Sequence, residues 1–595
     1  MKLTNYRYQR ALSDLAPLTG PSELLPRWAY GVWYSEYYDR TAAQYENTIL
    51  PKFRADGVPL DVLVTDTDFK SPSTWDGWEM DPAKFPDPKA FFDWSAAQGL
   101  HNTLNIHPSI VSSDPQFAQA QATAKGGLTL QGDNYVFDWG NPDQLKAYLD
   151  LHQTMEQQGA DFWWLDWCCE NSYSSLQGVT PDAWINQQYA TDTNKTIGRG
   201  FAFSRAYGSL QAGGYSGQAG LPTGPWADKR TTVHFTGDTT SNWDVLKFEV
   251  GYTPGVSAST GLSAVSHDIG GFNNDGTQVT GSEPGSTKEA DDLYARWLQL
   301  GAFQPVDRLH GNHSDRLPWQ YGADAKNSGE KFLNLREDLV PYTYTLAQQA
   351  NRTGIPVVRP LYLQYPNEQD AYAQDGAEYL YGPDVLVAPV TTAGSTATTS
   401  VWFPPGSGWT DYFTGQTYAG GTTQNITTDL STMPVFIRSG GIMTTRTVDH
   451  RQDWAGDIQA ALPQAHDQLT HQGGVLGRAL HQRQRVLRAV DADPQRHNAA
   501  VLSEVHPIDH ERHQVQRGQI RREKFGQRGL GRGHELPGHR RLTDRRSGGG
   551  DLGAHRFQAG DVAAGRQPGQ HPLQRHLAQH LGVVDRLVAG HRQLT

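Results

Sequence analysis

Apolar runs recur along residues 20 to 350, each short and each leading into a longer helical or loop-like stretch. The runs are Trp28 to Trp33, Asp61 to Thr65, Asn102 to Ile106, Phe162 to Leu165, Phe201 to Ser204, Val233 to Phe235, Ala264 to Ser266 and Phe303 to Val306. Strand-length apolar runs alternating with helix-length segments predict βα units around a parallel sheet. Eight of them predict a (β/α)8 TIM barrel over residues 1–352. Shorter alternating strands separated by Gly and Pro turns then predict an all-β module over residues 353–447.

The residues just past the ends of these runs are more telling than the runs. Asp66 comes after the second, His107 after the third, Asp166 after the fourth and Arg205 after the fifth. Asp238 comes shortly after the sixth, His267 and Asp268 after the seventh, and Arg308 and His310 after the eighth. One polar residue after a strand is ordinary loop chemistry. Polar residues after seven of eight strands suggest a site, because the carboxyl ends of barrel strands form the active-site floor.

The pattern changes at Val448. The segment 448–595 holds 15 of the 22 His, one Trp, two Phe and no Tyr, with 22 Lys and Arg against 15 Asp and Glu. No hydrophobic period survives there, so a packed core is hard to build. The segment reads as translation of a GC-rich gene in a shifted frame, or as a basic disordered tail, and is assigned no function. The net charge of −12 argues against a nucleic-acid partner, and without the segment's +7 the remainder carries about −19. No apolar run is long enough to cross a membrane. No apolar segment comes after Met1, so no signal peptide is visible and cytoplasmic and secreted locations stay open. The adjacent pair Cys168 and Cys169 predicts reduced core residues near the site, not a disulfide framework, and offers too few ligands for zinc. The 17 Trp and 25 Tyr suit either sugar binding or a large aromatic core.

Asp166 ends the run Phe162-Trp163-Trp164-Leu165. An ionised carboxylate among aromatics needs a hydrogen bond or an ion pair. It reads either as the cap of a following turn or as a nucleophile. Asp238, behind Gly237, reads either as the cap of a helix starting near Asn242 or as a general acid/base. Glycoside hydrolysis with retention needs two such carboxyls about 5–5.5 Å apart and no cofactor or metal. Asp66 and Asp268 can accept hydrogen bonds from sugar hydroxyls. Arg205 can hold a neighbouring carboxylate ionised or form a purely structural ion pair. His310 can donate to a hydroxyl, whereas His234 and His313 read as packed histidines.

These segments, taken in order with Pro26-Arg27-Trp28-Ala29-Tyr30-Gly31-Val32-Trp33, Asp268-Ile269-Gly270-Gly271-Phe272 and Arg296 to Pro305, resemble glycoside hydrolase family 31, the α-glucosidase and α-xylosidase family. The resemblance implies that Asp166 is the nucleophile and Asp238 the acid/base. It implies that Asp66, Arg205, Asp268 and His310 bind the sugar, that Trp164, Phe235 and Phe272 wall the pocket, and that Ile106 lies beside it. It implies that Leu380 to Val390 and Val435 to Gly441 belong to a β-sandwich. The implied function is a retaining exo-acting α-glucosidase on α-linked gluco-oligosaccharides. The alternatives are an α-glucosyltransferase, an α-xylosidase or α-galactosidase, or a truncated, inactive carbohydrate-binding chain. Three departures stand out. The family's usual amino-terminal β-sandwich is not visible before Trp28. Trp167-Cys168-Cys169-Glu170-Asn171 replaces the usual segment after the nucleophile. Phe235 stands where a Trp is usual, and a Gly-rich insert spans Ala212 to Gly224.

Overall fold

The computed structural model describes residues 7–166, 172–205 and 228–446. The expectations for Trp167 to Asn171, Ala212 to Gly224 and the segment from Val448 therefore lie outside the described residues. Eight parallel strands form the core: β1 (Val32–Tyr34), β2 (Val62–Thr65), β3 (His101–Ile106), β4 (Phe162–Leu165), β5 (Ala202–Ser204), β6 (Thr232–Phe235), β7 (Val265–Ser266) and β8 (Asp307–Leu309). Their order is β7-β6-β5-β4-β3-β2-β1-β8. The seam between β7 and β8 is closed by an Ile269–Leu309 bridge and by the Val306 N–H on the Val265 carbonyl at 3.2 Å. The result is a nearly closed (β/α)8 barrel.

Two strands sit elsewhere than the apolar runs predict. Arg27–Tyr30 is a 3-10 turn, and β1 begins at Val32. Trp28 is apolar because it plugs the amino-terminal end of the barrel, stacked on His101 at 4.0 Å and tilted against Phe162 and Phe201. Phe303 to Val306 closes the helix Asp291–Ala302, and β8 is the next three residues, Asp-Arg-Leu. A strand with two fully buried charges carries no hydrophobic signal. Arg308 is met by Asp268 on the loop after β7, whereas burial raises the Asp307 carboxyl to about 7 and so favours its neutral form. Inside the barrel Trp33 meets Phe162 and Phe203 edge-on at 5.5 and 5.3 Å, filling it with side chains.

Arg336 ties the last barrel helix to the amino-terminal ends of β1 and β8. Buried, it donates from Nε to the Tyr30 carbonyl at 2.7 Å, from Nη2 to Pro305 at 2.5 Å and from Nη1 to Gln304. The strand ends thus have their carbonyls satisfied without water.

Beyond the barrel lie β9 (Val358–Pro360), β10 (Tyr379–Tyr381), β11 (Val385–Val387), β12 (Thr396–Phe403), β13 (Gly408–Asp411), β14 (Thr417–Ala419), β15 (Thr422–Asp429) and β16 (Val435–Arg438). Six make an antiparallel sheet in the order β9-β10-β11-β16-β13-β14, and β12 pairs with β15 as a ribbon. Val401, Phe403 and Ile426 of the ribbon share a core with Leu380, Leu386 and Phe436 of the sheet. Arg296 and Gln299 of the barrel bind this module through the carbonyls of Thr432 and Leu430, each at 2.9 Å.

Arg336→Met removes a buried cation that serves three carbonyls. It should lower stability by roughly 3 kcal/mol or more, read as a lower urea midpoint at unchanged slope.

Candidate active site

Strand ends and their loops bring the polar residues together at the carboxyl end of the barrel. A pocket of about 460 Å³, including its open mouth, is lined by Asp66, Trp164, Asp166, Arg205, Asp238, Phe272 and His310, all expected from the sequence. Tyr37, Thr67, Trp75, Asn105 and His107 complete it.

The local fold explains why the two carboxyls are free to face this pocket. The helix Trp243–Thr260 is capped by Asn242, whose side chain accepts the Val245 N–H at 2.9 Å. Asp238 is therefore not the cap. Gly237, at φ +85°, turns the chain so that Asp238 follows in a loop. That loop is fixed to the next one: the Phe272 N–H meets the Thr239 carbonyl at 2.7 Å, and Asn273 Nδ2 meets the Asp238 carbonyl at 3.0 Å. Gly270 and Gly271 make this docking possible, since a Cβ on either would overlap Arg316 or Ser241. Phe272 is thereby laid over His310, stacked at 5.3 Å.

Asp166 is held on both oxygens. Arg205 Nε pairs with Oδ1, and Asn105 Nδ2 donates to Oδ2 at 3.1 Å. Its own N–H goes to the Ile106 carbonyl at 3.0 Å. Burial and the Asp238 charge push its carboxyl up, while Arg205 and Asn105 pull it down. The same guanidinium reaches Asp238 through Nη2 at 2.5 Å. One planar cation thus spans two carboxylates. The Asp238 side chain is 23% exposed and that of Asp166 only 9%, so Asp238 is the one nearer water.

Asp66 caps the turn Thr67–Phe69, accepting the Thr67 N–H at 2.7 Å on Oδ1. Its Oδ2 faces His310 Nε2 at 3.8 Å. His310 is held neutral by burial and by Arg308 beside it. Burial, with the Asp166 charge behind it, lifts the Asp66 carboxyl to about 8. Asp268 pairs with Arg308, and burial still raises it to about 7.

Three expected site residues do not line the pocket. Asp268 is wholly buried with Arg308. Phe235 lies behind Trp164, the two rings edge-on at 5.5 Å. Ile106 points into the core and contributes only its carbonyl, because the next residue, His107, faces the site. Arg308 had no role assigned from sequence; it lies within β8, its guanidinium 4.9, 5.0 and 5.1 Å from the rings of Trp164, Phe203 and Phe235. Asn105 was also missed, although an Asn inside a buried strand is a legible signal. Tyr37 and Trp75 arrive on loops and carry none. Among the described residues no group of three or more His, Cys, Asp or Glu is arranged to hold a metal ion.

Comparison with known proteins agrees with this architecture. The TIM-barrel domain of glycosyl hydrolases family 31 matches residues 22–346, and the family's C-terminal domain matches residues 354–443. The chain belongs to glycosyl hydrolase family 31. Among curated family 31 relatives, an α-xylosidase of Saccharolobus solfataricus is 27% identical over 438 residues, 72% of this chain and 56% of the relative. α-Glucosidase 2 of Bacillus thermoamyloliquefaciens is 26% identical over 454 residues, 72% of this chain and 54% of the relative. The chain thus spans just over half the length of these relatives. A family 31 α-xylosidase from a soil metagenome, solved with xylose, superposes with a TM-score of 0.61 at 25% identity, covering 74% of this chain and 67% of that one.

The raised Asp66 carboxyl makes stability depend on pH. Its folded value of about 8 lies above the unfolded carboxylate range, so the folded state holds the extra proton between the two. Stability of the ligand-free chain should fall as pH rises from 5 to 9. Asp66→Asn should flatten that fall, measured as Tm against pH; an unchanged slope would show that Asp66 is not its source.

Proposed function

We propose that this family 31 chain is a retaining, exo-acting α-glycoside hydrolase with Asp166 as nucleophile and Asp238 as acid/base. The observation that carries this reading is the single Arg205 guanidinium shared by the two carboxyls. Two groups bound to one planar cation are close enough for the separation of about 5–5.5 Å that retention requires. The difference in exposure supports the division of roles. Asp166, buried and held on both oxygens, keeps the fixed, charged geometry of a nucleophile. Asp238, at the wetter edge, can exchange protons with water and activate a water molecule in the second step.

These positions define the steps. Asp166 attacks the anomeric carbon as Asp238 protonates the departing oxygen, and an α-linked bond becomes a β-linked glycosyl ester. Asp238, now a carboxylate, takes a proton from water, which displaces Asp166 and restores the α configuration. The proton on Asp238 requires that its contact with Arg205 loosen once substrate is bound. Asp66 and His310 offer polar partners to sugar hydroxyls away from the reacting carbon, and the rings of Trp164 and Phe272 wall the pocket.

An α-glucosyl donor is the first substrate, because the Asp66 carboxyl and His310 give the pocket polar partners for distal hydroxyls. An α-xylosyl donor is the second reading, favoured by the similarity to the α-xylosidases of Saccharolobus solfataricus and the soil metagenome. Transfer to a sugar acceptor would use the same ester intermediate. A screen of p-nitrophenyl α-glycosides and α-linked disaccharides, with products checked for transfer, separates these activities.

Asp166→Ala should abolish turnover of every α-glycoside the chain cleaves. Near-native activity in that variant would end the assignment. Asp238→Ala should keep slow turnover on aryl glycosides with good leaving groups and lose natural disaccharides. Azide should accelerate that variant with retained configuration, and should not do so for Asp166→Ala.

A further inference from the structure

His107 closes the pocket beside Asp166 and takes no part in either displacement. Its ring is buried and stacked on Trp75, with centroids 3.8 Å apart. Nδ1 lies 3.2 Å from Lys70 Nζ, and Nε2 lies 3.8 Å from Asp166 Oδ2. Lys70 is itself buried and donates to the Trp75 carbonyl at 2.7 Å. We propose that His107 is a positioning residue for Asp166, locked by Lys70 in the tautomer that carries its hydrogen on Nε2. The proposal rests on the reading of Asp166 as nucleophile.

Donors and acceptors around the ring select this tautomer. An ammonium has only donors, so the ring nitrogen facing Lys70 must present its lone pair. A neutral imidazole then has its hydrogen on the other nitrogen. Burial, Lys70 and Arg205 all oppose a second proton on the ring. The Asp76 carboxyl lies close enough to feel Lys70, which favours the charged amine. The Trp75 carbonyl is also near the ring and alone would favour a hydrogen on Nδ1. That tautomer would turn a bare Nε2 lone pair toward the Asp166 carboxylate, so both ends of the ring select Nε2–H.

An N–H then points at Oδ2, the oxygen to which Asn105 also donates. When the glycosyl ester breaks, negative charge returns to this carboxylate. A preset neutral donor stabilises that charge without adding a titrating group. Lys70 and Trp75 come from the loop after β2, and His107 from the end of β3. Two strand ends thus cooperate on the nucleophile of a third.

The test has two arms. Long-range 1H–15N imidazole spectra of the ligand-free chain, with His107 assigned by difference from His107→Gln, should show the Nε2–H form unchanged from pH 5.5 to 8. Lys70→Met should lose that preference. An Nδ1–H form in the wild-type chain, or an unaltered tautomer in Lys70→Met, overturns the proposal. These spectra need no turnover, so they stand apart from the hydrolase reading. In the kinetic arm His107→Leu should lower kcat about a hundredfold with KM within a few fold. His107→Gln, which can still place an amide N–H near Oδ2, should recover part of the loss. Wild-type kcat in His107→Leu would also overturn it.

Discussion

Among the described residues four carboxyls and two guanidinia meet at the carboxyl end of the barrel, and this imbalance organises the site. Only Arg205 and Arg308, among the described residues, answer Asp66, Asp166, Asp238 and Asp268, and the four cannot all be charged there at modest cost. The conflict is resolved unequally. Arg205 is given to Asp166 and Asp238, Arg308 is buried with Asp268, and Asp66 keeps a proton to about 8. The neutral imidazoles of His107 and His310 fill the remaining space without adding positive charge. A hydroxyl-bearing ligand suits such a pocket, because Asp66 lines it with a carboxyl that no arginine among the described residues pairs with.

The backbone is built to hold that arrangement. Aromatic rings support the guanidinia from beneath, and Arg308 lies against three of them. The Gly270-Gly271 pair admits Arg316 and Ser241, so the loops after β6 and β7 lock together and aim Asp238 and Phe272. At the opposite end Arg336 satisfies the carbonyls that a water-filled barrel would otherwise have to solvate. Buried arginines thus do at both ends what hydrophobic packing does in the middle.

The order of strands and the polar residues at their ends were legible in the sequence, since parallel strands buried on both faces are apolar and their ends are not. Strand β8 was not legible in place. Asp307 and Arg308 look like loop residues until the burial of both and the pairing of Arg308 with Asp268 are known. The Trp28 run misled for the opposite reason, being apolar as a plug and not as a strand. Asp238 could be read as a helix cap, and only the geometry gives that role to Asn242. Phe235 was expected to wall the pocket and Asp268 to bind the sugar, and both instead lie in the layer behind it; Ile106, expected beside the pocket, is buried in the core. A resemblance locates a residue along the chain, but the alternation of side chains along a strand decides which neighbour faces the pocket. Tyr37 and Trp75 come from loops whose return to the pocket depends on the whole fold.

The assignment of Asp166 is tested most directly by trapping the covalent intermediate. The chain would be incubated with a slowly turned-over 5-fluoro-α-glycosyl fluoride of the preferred sugar, digested, and its peptides sequenced by mass spectrometry. The expected result is one glycosyl group per chain, on Asp166, with the first sugar released from normal substrate in the α configuration. A label on another residue, or a β-configured first product, would contradict it.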